Sequence, residues 1–228
     1  MLDLSEVKYD SSRVKILDHP LAQSILTELR DKSTGQIEFR KGLVRLGRLM
    51  AFRIVEDFDT ETVYVETPLN VKARGIRIPD LDKIIIIQIL RAAMPFVEGM
   101  LKIFPAAKMG VISARRVEEK GMKPNKTFDV EVKYVKLPRI EEDNIAIIAD
   151  PMFATGSTAL KALDIVKNHG TPKKLIVATV ISTPLAIKRV LDYDEKLMVY
   201  TVAIDNELNE KGYIVPGLGD AGDRAFGE

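Results

Sequence analysis

Apolar side chains recur every three or four positions in two segments near the beginning of the chain, residues 20–30 and residues 36–57. The longer segment carries them at Phe39, Leu43, Leu46, Met50 and Ile54. This spacing matches the period of an amphipathic helix, so both segments are predicted to be helical. A short strand is predicted over residues 62–66.

Beyond residue 80, unbroken apolar runs alternate with segments of helical period. Such runs are typical of strands buried on both faces of a parallel sheet. The strands are predicted at residues 83–90, 108–113, 145–150, 175–181 and 197–204, and the helices at residues 91–104, 156–169 and 183–191. This alternation predicts an α/β fold with a doubly wound, mostly parallel central sheet flanked by helices. Residues 128–134 alternate strictly between apolar and polar side chains, which predicts an antiparallel hairpin excursion.

The chain contains no internal repeat, low-complexity segment or Pro/Ser-rich linker, so a single domain over residues 1–228 is predicted. Its parts are the N-terminal helices (20–57), a core (80–205) and a C-terminal segment (206–228). Residues 212–227 hold five of the 14 glycines, together with apolar side chains that are costly to expose. An ordered loop that brings its backbone close to a ligand is favoured over a flexible tail.

Composition excludes several classes of function. The 34 Lys and Arg residues against 33 Asp and Glu residues give a net charge of +1, which argues against nucleic-acid coating or polybasic membrane binding. With no cysteine, thiolate zinc sites and cysteine nucleophiles are ruled out, and neither His19 nor His169 has a second histidine at metal-ligand spacing. No apolar run is long enough to span a membrane, and the N-terminus is unlike a secretory signal, so a cytoplasmic location is expected.

The most informative segment begins where the predicted strand 145–150 ends in the carboxylate of Asp150. A loop of small and hydroxylated residues follows and opens a helix. It consists of Pro151, Met152, Phe153, Ala154, Thr155, Gly156, Ser157 and Thr158. A helix start offers unpaired N–H groups and the positive end of the helix dipole, so this segment is a candidate phosphate site at the carboxyl edge of the sheet. An ordinary helix N-cap is the alternative. The segment lacks the Gly-Lys-Ser/Thr of a Walker loop.

Residues 150–157 resemble the phosphoribosyl-pyrophosphate (PRPP) motif of the type I phosphoribosyltransferases. Pro151 stands in place of a second acid, as in the uracil phosphoribosyltransferases. Residues 212–223 resemble the uracil-binding segment of that family, and residues 89–92 resemble its pyrophosphate-contacting loop. The family usually has glycine where this chain has Ala93, and many members have a second glycine at Ser157. The resemblance extends over about residues 20 to 228.

This resemblance implies transfer of the phosphoribosyl group of PRPP to uracil, giving UMP and pyrophosphate in pyrimidine salvage. It implies a type I phosphoribosyltransferase fold with a C-terminal hood over the base. Arg91 and Asp220 are the implied catalytic residues. The implied PRPP contacts are Arg91, Arg116, Asp220 and residues 150–158. The implied uracil contacts are Ile214, Gly219, Asp220 and Ala221. Mg²⁺ is the implied cofactor, carried mainly by PRPP, with Asp220 as a candidate ligand.

The family also implies a homo-oligomer, either a dimer or a tetramer, and a nucleotide effector such as GTP in some members. Lys41, Arg45 and Arg48 share one face of the second predicted helix, which is a candidate effector surface or simply a solvated face. Residues 118–127 are predicted to form either a mobile cover over the site or a plain surface hairpin.

Three other functions are weighed against this one. A phosphoribosyltransferase acting on a purine or on orotate is disfavoured by the uracil-type tail. An RNA-binding regulator built on the same fold is disfavoured by the balanced charge. A non-catalytic nucleotide sensor would be expected to lack the arginines, whereas Arg91 and Arg116 are both present.

Overall fold

The computed structural model describes residues 1–227, and its helices and strands alternate along most of the chain. The helices are α1 (Pro20–Arg30), α2 (Gln36–Val55), α3 (Ala93–Leu101), α4 (Ser157–His169), α5 (Pro184–Tyr193) and α6 (Ala221–Phe226). The strands are β1 (Leu2–Asp3), β2 (Val14–Ile16), β3 (Glu61–Glu66), β4 (Lys72–Arg77), β5 (Ile84–Leu90), β6 (Lys108–Arg116), β7 (Val130–Lys136), β8 (Ile145–Ala149), β9 (Met152–Phe153), β10 (Lys174–Ala178), β11 (Ile181–Ser182), β12 (Met198–Thr201), β13 (Ala203–Ile204), β14 (Glu207–Leu208) and β15 (Ile214–Val215). Short 3₁₀ turns lie at Ser11–Arg13, Pro79–Lys83 and Glu118–Lys120.

A seven-stranded sheet in the order β2-β12-β10-β8-β5-β6-β7 forms the centre of the molecule. Its neighbours pair in parallel except β7, which pairs with β6 antiparallel and with a register shift at Ser113 and Ala114. The predicted mostly parallel α/β fold and its antiparallel excursion are therefore confirmed.

The central strands carry continuous apolar runs because helices cover both faces of the sheet. Ile84 and Ile86 of β5 pack in one cluster with α1, α2, α3 and α6, whereas Ile85 and Ile87 pack in a second cluster with α4 and α5. All four side chains are fully buried. Successive side chains of a strand point to opposite faces, so a two-sided core requires this continuous apolar run.

The helix predictions are confirmed with shifted ends. The first predicted helix coincides with α1, and the second ends at Val55, before the predicted 57. The segment predicted as helix 91–104 is helical only over Ala93–Leu101, so Arg91 precedes the helix. The helix predicted at residues 156–169 is α4, which begins at Ser157 and ends at His169, with Gly170 as its C-cap.

Two predicted strands are wrong in their extent. Residues 175–181 form β10 and then β11, and residues 197–204 form β12 and then β13. The chain leaves the central sheet at Thr179, and β11 pairs in parallel with β9 and β13 in a separate three-stranded sheet. This second sheet fixes Met152–Phe153, which belong to the predicted phosphate segment.

Two further features lie outside the central sheet. The predicted strand at 62–66 is β3, one arm of an exposed antiparallel hairpin whose second arm, β4, the sequence analysis did not predict. The glycine-rich tail is ordered, as predicted: β15 pairs with β14, which pairs with β1, and α6 follows. No helix in the described part of the chain is both long and apolar enough to cross a membrane.

Candidate active site

A pocket of about 490 Å³ opens at the carboxyl ends of β5, β6 and β8 and is bounded on its far side by the C-terminal segment. Fourteen of the residues singled out in the sequence line it. They are Arg91, Arg116, Asp150, Met152, Phe153, Ala154, Thr155, Gly156, Ser157, Thr158, Ile214, Gly219, Asp220 and Ala221. Pro151 is buried outside the lining, and its carbonyl accepts hydrogen bonds from the N–H groups of Val180 and Ile181 at 3.2 and 3.1 Å.

Asp150 follows β8 directly and places a carboxyl group in the pocket. Its backbone N–H donates to the Ala178 carbonyl at 3.1 Å, and its Oδ1 accepts from the Met152 N–H at 3.1 Å. Burial raises the pKa of this carboxyl to about 7, and the charge of Asp220 acts in the same direction. The Met152 N–H and the charge of Arg116 oppose that rise. The carboxyl therefore changes charge near neutral pH.

The start of α4 forms the part of the pocket that is suited to a phosphate group. Gly156 caps the helix at a φ of +78°, a left-handed conformation that favours glycine, and a Cβ there would lie 3.3 Å from the Ala186 Cα of α5. The hydroxyls of Thr155 and Ser157 are buried and lie 2.9 Å apart, and the Ser157 Oγ accepts from the Phe128 N–H at 3.0 Å. These two hydroxyls already have protein partners. The first N–H groups of the helix and the Thr158 side chain are the groups that suit an incoming anion.

Arg116, the last residue of β6, connects the sheet to the C-terminal segment. Its guanidinium lies over the rings of Phe128 and Tyr213, at 4.8 and 5.2 Å from their centres. It also donates to the Gly212 carbonyl at 3.1 Å. Stacking on two rings fixes the orientation of the planar guanidinium inside the pocket.

Arg91 enters the pocket from the loop between β5 and α3. The residue is exposed, the peptide bond between Leu90 and Arg91 is cis, and the guanidinium lies 5.7 Å from the centre of the Phe226 ring. The pocket is thus lined by Arg91, directly after β5, and by Arg115 and Arg116 at the end of the adjacent strand β6. A guanidinium stays charged and binds phosphate oxygens with paired donors, so this arrangement suits a polyphosphate.

Asp220 caps α6 and borders the pocket opposite Asp150. Its Oδ1 accepts from the N–H groups of Gly222 and Asp223 at 2.8 and 3.0 Å. In residues 1–227, no cluster of three or more His, Cys, Asp or Glu side chains could hold a metal. The Asp220 carboxyl offers the oxygen ligands that a hard cation prefers, with phosphate oxygens and water supplying the remaining ligands.

Several lining residues escaped the sequence analysis. They include Ser113, Ala114, Arg115 and Lys133. The position of residues 113–115 near the carboxyl end of a parallel strand could have indicated the first three. Lys133 reaches the pocket through the pairing of β7 with β6, which no local pattern reports. Of the predicted cover, residues 119–127 do not line the pocket, and the side chain of Glu118 lies outside the part that the structure describes.

A carboxylate at a strand end, a helix start suited to an anion, arginines at two adjacent strand ends and a separate C-terminal hood are the features of a type I phosphoribosyltransferase. A sequence model described as "Uracil phosphoribosyltransferase" matches residues 16–228. The chain belongs to the uracil phosphoribosyltransferase family.

Individual relatives agree with this assignment. The chain is 57% identical over 213 residues to a uracil phosphoribosyltransferase of Pyrobaculum islandicum, a match that covers 93% of this chain and 98% of the relative. It is 50% identical over 211 residues to the Pyrococcus furiosus protein of the same name, covering 92% and 88% of the two chains. Among solved structures, the AQ2163 protein from Aquifex aeolicus is similar with a TM-score of 0.83 at 32% identity, covering 93% of this chain and 97% of that one.

Proposed function

We propose that this protein transfers the phosphoribosyl group of PRPP to uracil, forming UMP and releasing pyrophosphate. The observation that carries the proposal is that one pocket is lined by Asp150, the start of α4, Arg91 and Arg116, and is bounded by the C-terminal hood. Each chemical part of PRPP has a matching group in this pocket. The tail supplies a separate surface for the base.

In the proposed mechanism the chain binds, orients and stabilises charge. The Asp150 carboxylate accepts hydrogen bonds from the ribose hydroxyls, and the start of α4 holds the 5′-phosphate. The bond from C1 to pyrophosphate breaks with its electron pair going to the pyrophosphate oxygen. Arg91 and Arg116 stabilise the charge that accumulates there. A uracil nitrogen, held by the hood, forms the new bond to C1 with its electron pair and releases its proton to water.

The base site is proposed at the backbone of Ile214, Gly219 and Ala221. Asp220 lies between this part and the PRPP part of the pocket and can contact both substrates. We propose Mg²⁺ as the cofactor, bound mainly by PRPP with Asp220 as a protein ligand. The ion would neutralise part of the pyrophosphate charge.

The same proposal includes a cytoplasmic homo-oligomer, a dimer or a tetramer. PRPP is too highly charged to cross a membrane unaided, which favours an enzyme located where PRPP is made. The β3–β4 hairpin exposes Tyr64, Val65 and Ile76, whose side chains are 67%, 54% and 70% exposed. A second copy of the chain would bury them.

A nucleotide effector such as GTP is proposed for a separate groove of about 770 Å³. The groove is lined by basic side chains of α2, namely Arg40, Lys41, Arg45 and Arg48. Phe226 also lines the groove, and its ring centre lies 5.7 Å from the guanidinium of Arg91, so one residue of the groove contacts one residue of the active site.

The test is incubation of the protein with PRPP, Mg²⁺ and each free base in turn, with detection of the nucleotide formed. UMP from uracil, absent without PRPP and strongly reduced in Asp150→Asn, is expected. A nucleotide formed only from a purine or from orotate would assign another substrate. Retention of RNA at moderate salt without nucleotide formation would favour the regulatory alternative.

A further inference from the structure

A buried ion pair outside the pocket contacts the turn that connects the proposed base-binding residues. Arg30, the last residue of α1, and Asp205, directly after β13, form two parallel hydrogen bonds of 2.7 Å. The Asp205 side chain is 8% exposed and that of Arg30 is 25% exposed. Neither residue lines the pocket.

Both partners also bind the backbone of Gly217. The Arg30 guanidinium donates to the Gly217 carbonyl at 2.8 Å, and Asp205 Oδ2 accepts from the Gly217 N–H at 2.9 Å. The ion pair thereby satisfies the donor and the acceptor of one residue. Gly217 has a φ of +57°, and a Cβ there would meet the Ile214 carbonyl oxygen at 2.2 Å, so this turn admits no side chain.

The turn held in this way lies between Ile214 and Gly219. Arg224 contacts Leu218, the residue of the turn that follows Gly217. Its guanidinium donates to the Leu218 carbonyl at 2.7 Å and to the carbonyl of Asp31, just past α1, also at 2.7 Å. The end of α1 therefore holds the turn at two consecutive residues.

We propose that Arg30 and Asp205 are positioning residues for the base: their ion pair fixes the Gly217 turn and, through it, the backbone groups of Ile214 and Gly219 that meet the pyrimidine edge. This inference rests on the proposed function. Because backbone groups cannot change their polarity, the accuracy of base recognition depends on where the turn is held.

The main variants are Arg30→Lys and Asp205→Asn. Lysine keeps the charge but cannot supply the planar fork of donors that Asp205 and the Gly217 carbonyl require. Asparagine keeps the shape, but both Asp205 oxygens accept hydrogen bonds, so its amide NH₂ must face another donor. We expect the KM for uracil to rise about tenfold or more in both, with the KM for PRPP changed by less than about twofold. The preference for uracil over cytosine should fall in parallel.

Thermal unfolding is measured alongside, since loss of a buried pair also lowers stability. Unfolding of a fraction of the enzyme lowers the maximal rate but leaves KM unchanged, so the KM readout separates positioning from folding. Lys173→Met is the matched control: it removes an ion pair with Asp80 of 2.8 Å, in which Asp80 is 13% exposed, away from the pocket. It should leave both KM values at the wild-type level.

The double variant Arg30→Met/Asp205→Leu leaves no unpaired charge. If the pair positions the turn, the KM for uracil stays raised in this variant even where stability is regained. If the two single variants have the same KM for uracil as the wild type, the inference is overturned. The proposed function still holds in that case, provided that the wild-type protein forms UMP. A wild-type protein that forms no UMP would overturn both.

Discussion

Burial of the Asp150 carboxyl predicts a pH dependence near neutrality. Its pKa is raised to about 7, so the group is largely neutral below that pH and charged above it. Only the carboxylate accepts hydrogen bonds from both ribose hydroxyls, so kcat/KM for PRPP should rise as the pH passes through about 7. The stability effect has the opposite sign: the folded pKa exceeds the unfolded one, so the group's stabilising contribution is lost as the pH rises toward 7.

The control for this prediction is Asp150→Asn, which keeps the shape and cannot ionise. PRPP itself titrates near neutral pH, but it does so equally in both proteins, so the ratio of their pH profiles isolates Asp150. At pH 8 the kcat/KM of the variant should be lower than that of the wild type by about tenfold or more, because hydrogen bonds to a charged group contribute about 1.5–3 kcal/mol. A ratio that stays flat from pH 6 to pH 8, or wild-type kinetics in the variant, would contradict the role.

Arg91 is expected to act mainly in the transition state. Charge accumulates on pyrophosphate only as its bond to C1 breaks, so Arg91→Ala should lower kcat more than it raises the KM for PRPP. Loss of one such donor costs on the order of a hundredfold in kcat. Steady-state kinetics measure the split, with Arg139→Ala as a control at a side chain that is 86% exposed. Unchanged kcat with a raised KM would mean that Arg91 binds the substrate and the transition state equally.

Individual residues of the site were predictable where a local motif carries them. Asp150 and residues 154–158 lie in one stretch whose strand-end carboxylate and small residues indicate a phosphate site. The aromatic pair around Arg116 was not predictable, because Phe128 and Tyr213 come from distant segments and meet only through packing. The same holds for the polar partners of Ser157, which include a backbone group 29 residues away.

At the scale of the elements, helix α5 contacts both the phosphate loop, residues 154–158, and the connection between β6 and β7. Arg189 donates to the carbonyls of Thr155, Lys126 and Asn125. Arg189→Met should release the phosphate loop and raise the KM for PRPP about tenfold, with the KM for uracil nearly unchanged. This is the reverse of the pattern expected for Arg30→Lys. Kinetics with each substrate varied in turn measure it, and equal changes in both KM values would show a general loosening of the site instead.

The ends of an element were predictable where its residues follow a single hydrophobic period. Helix α1 was predicted with its observed ends because its apolar stripe and Pro20 both define them. The sequence predicts one strand over residues 175–181, because a continuous apolar run does not reveal where the chain leaves one sheet for another. Strand β4 was missed because its residues are mostly polar and exposed, so they lack the pattern of a buried strand.

At the scale of the whole molecule, the site exists because distant parts of the chain converge. The sequence predicted the sheet and its carboxyl edge, and the family resemblance supplied the hood. Neither predicted the contacts that fix the hood on the rest of the molecule, since Arg30 and Gly217 are 187 positions apart in the chain. Long-range polar contacts of this kind have no local period and follow only from the completed packing.

The convergence of the hood and the sheet makes a prediction about base selectivity. Uracil presents an acceptor at O4, a donor at N3 and an acceptor at O2, whereas cytosine presents a donor at N4 and an acceptor at N3. The proposed base contacts are backbone groups of Ile214, Gly219 and Ala221. A peptide N–H can only donate and a peptide C=O can only accept, so these groups cannot adapt to the reversed pattern.

Cytosine would therefore leave two mismatched pairs in a closed site. Buried unpaired polar groups cost about 1–3 kcal/mol each, which gives uracil an advantage of about a hundredfold to ten-thousandfold in kcat/KM. Small 5-substituted uracils keep the uracil edge and should be accepted where the pocket has room, so they serve as the control for shape. Rates of nucleotide formation with the three bases at limiting concentration measure the ratio. Comparable values for cytosine and uracil would show that the backbone of the hood does not read this edge.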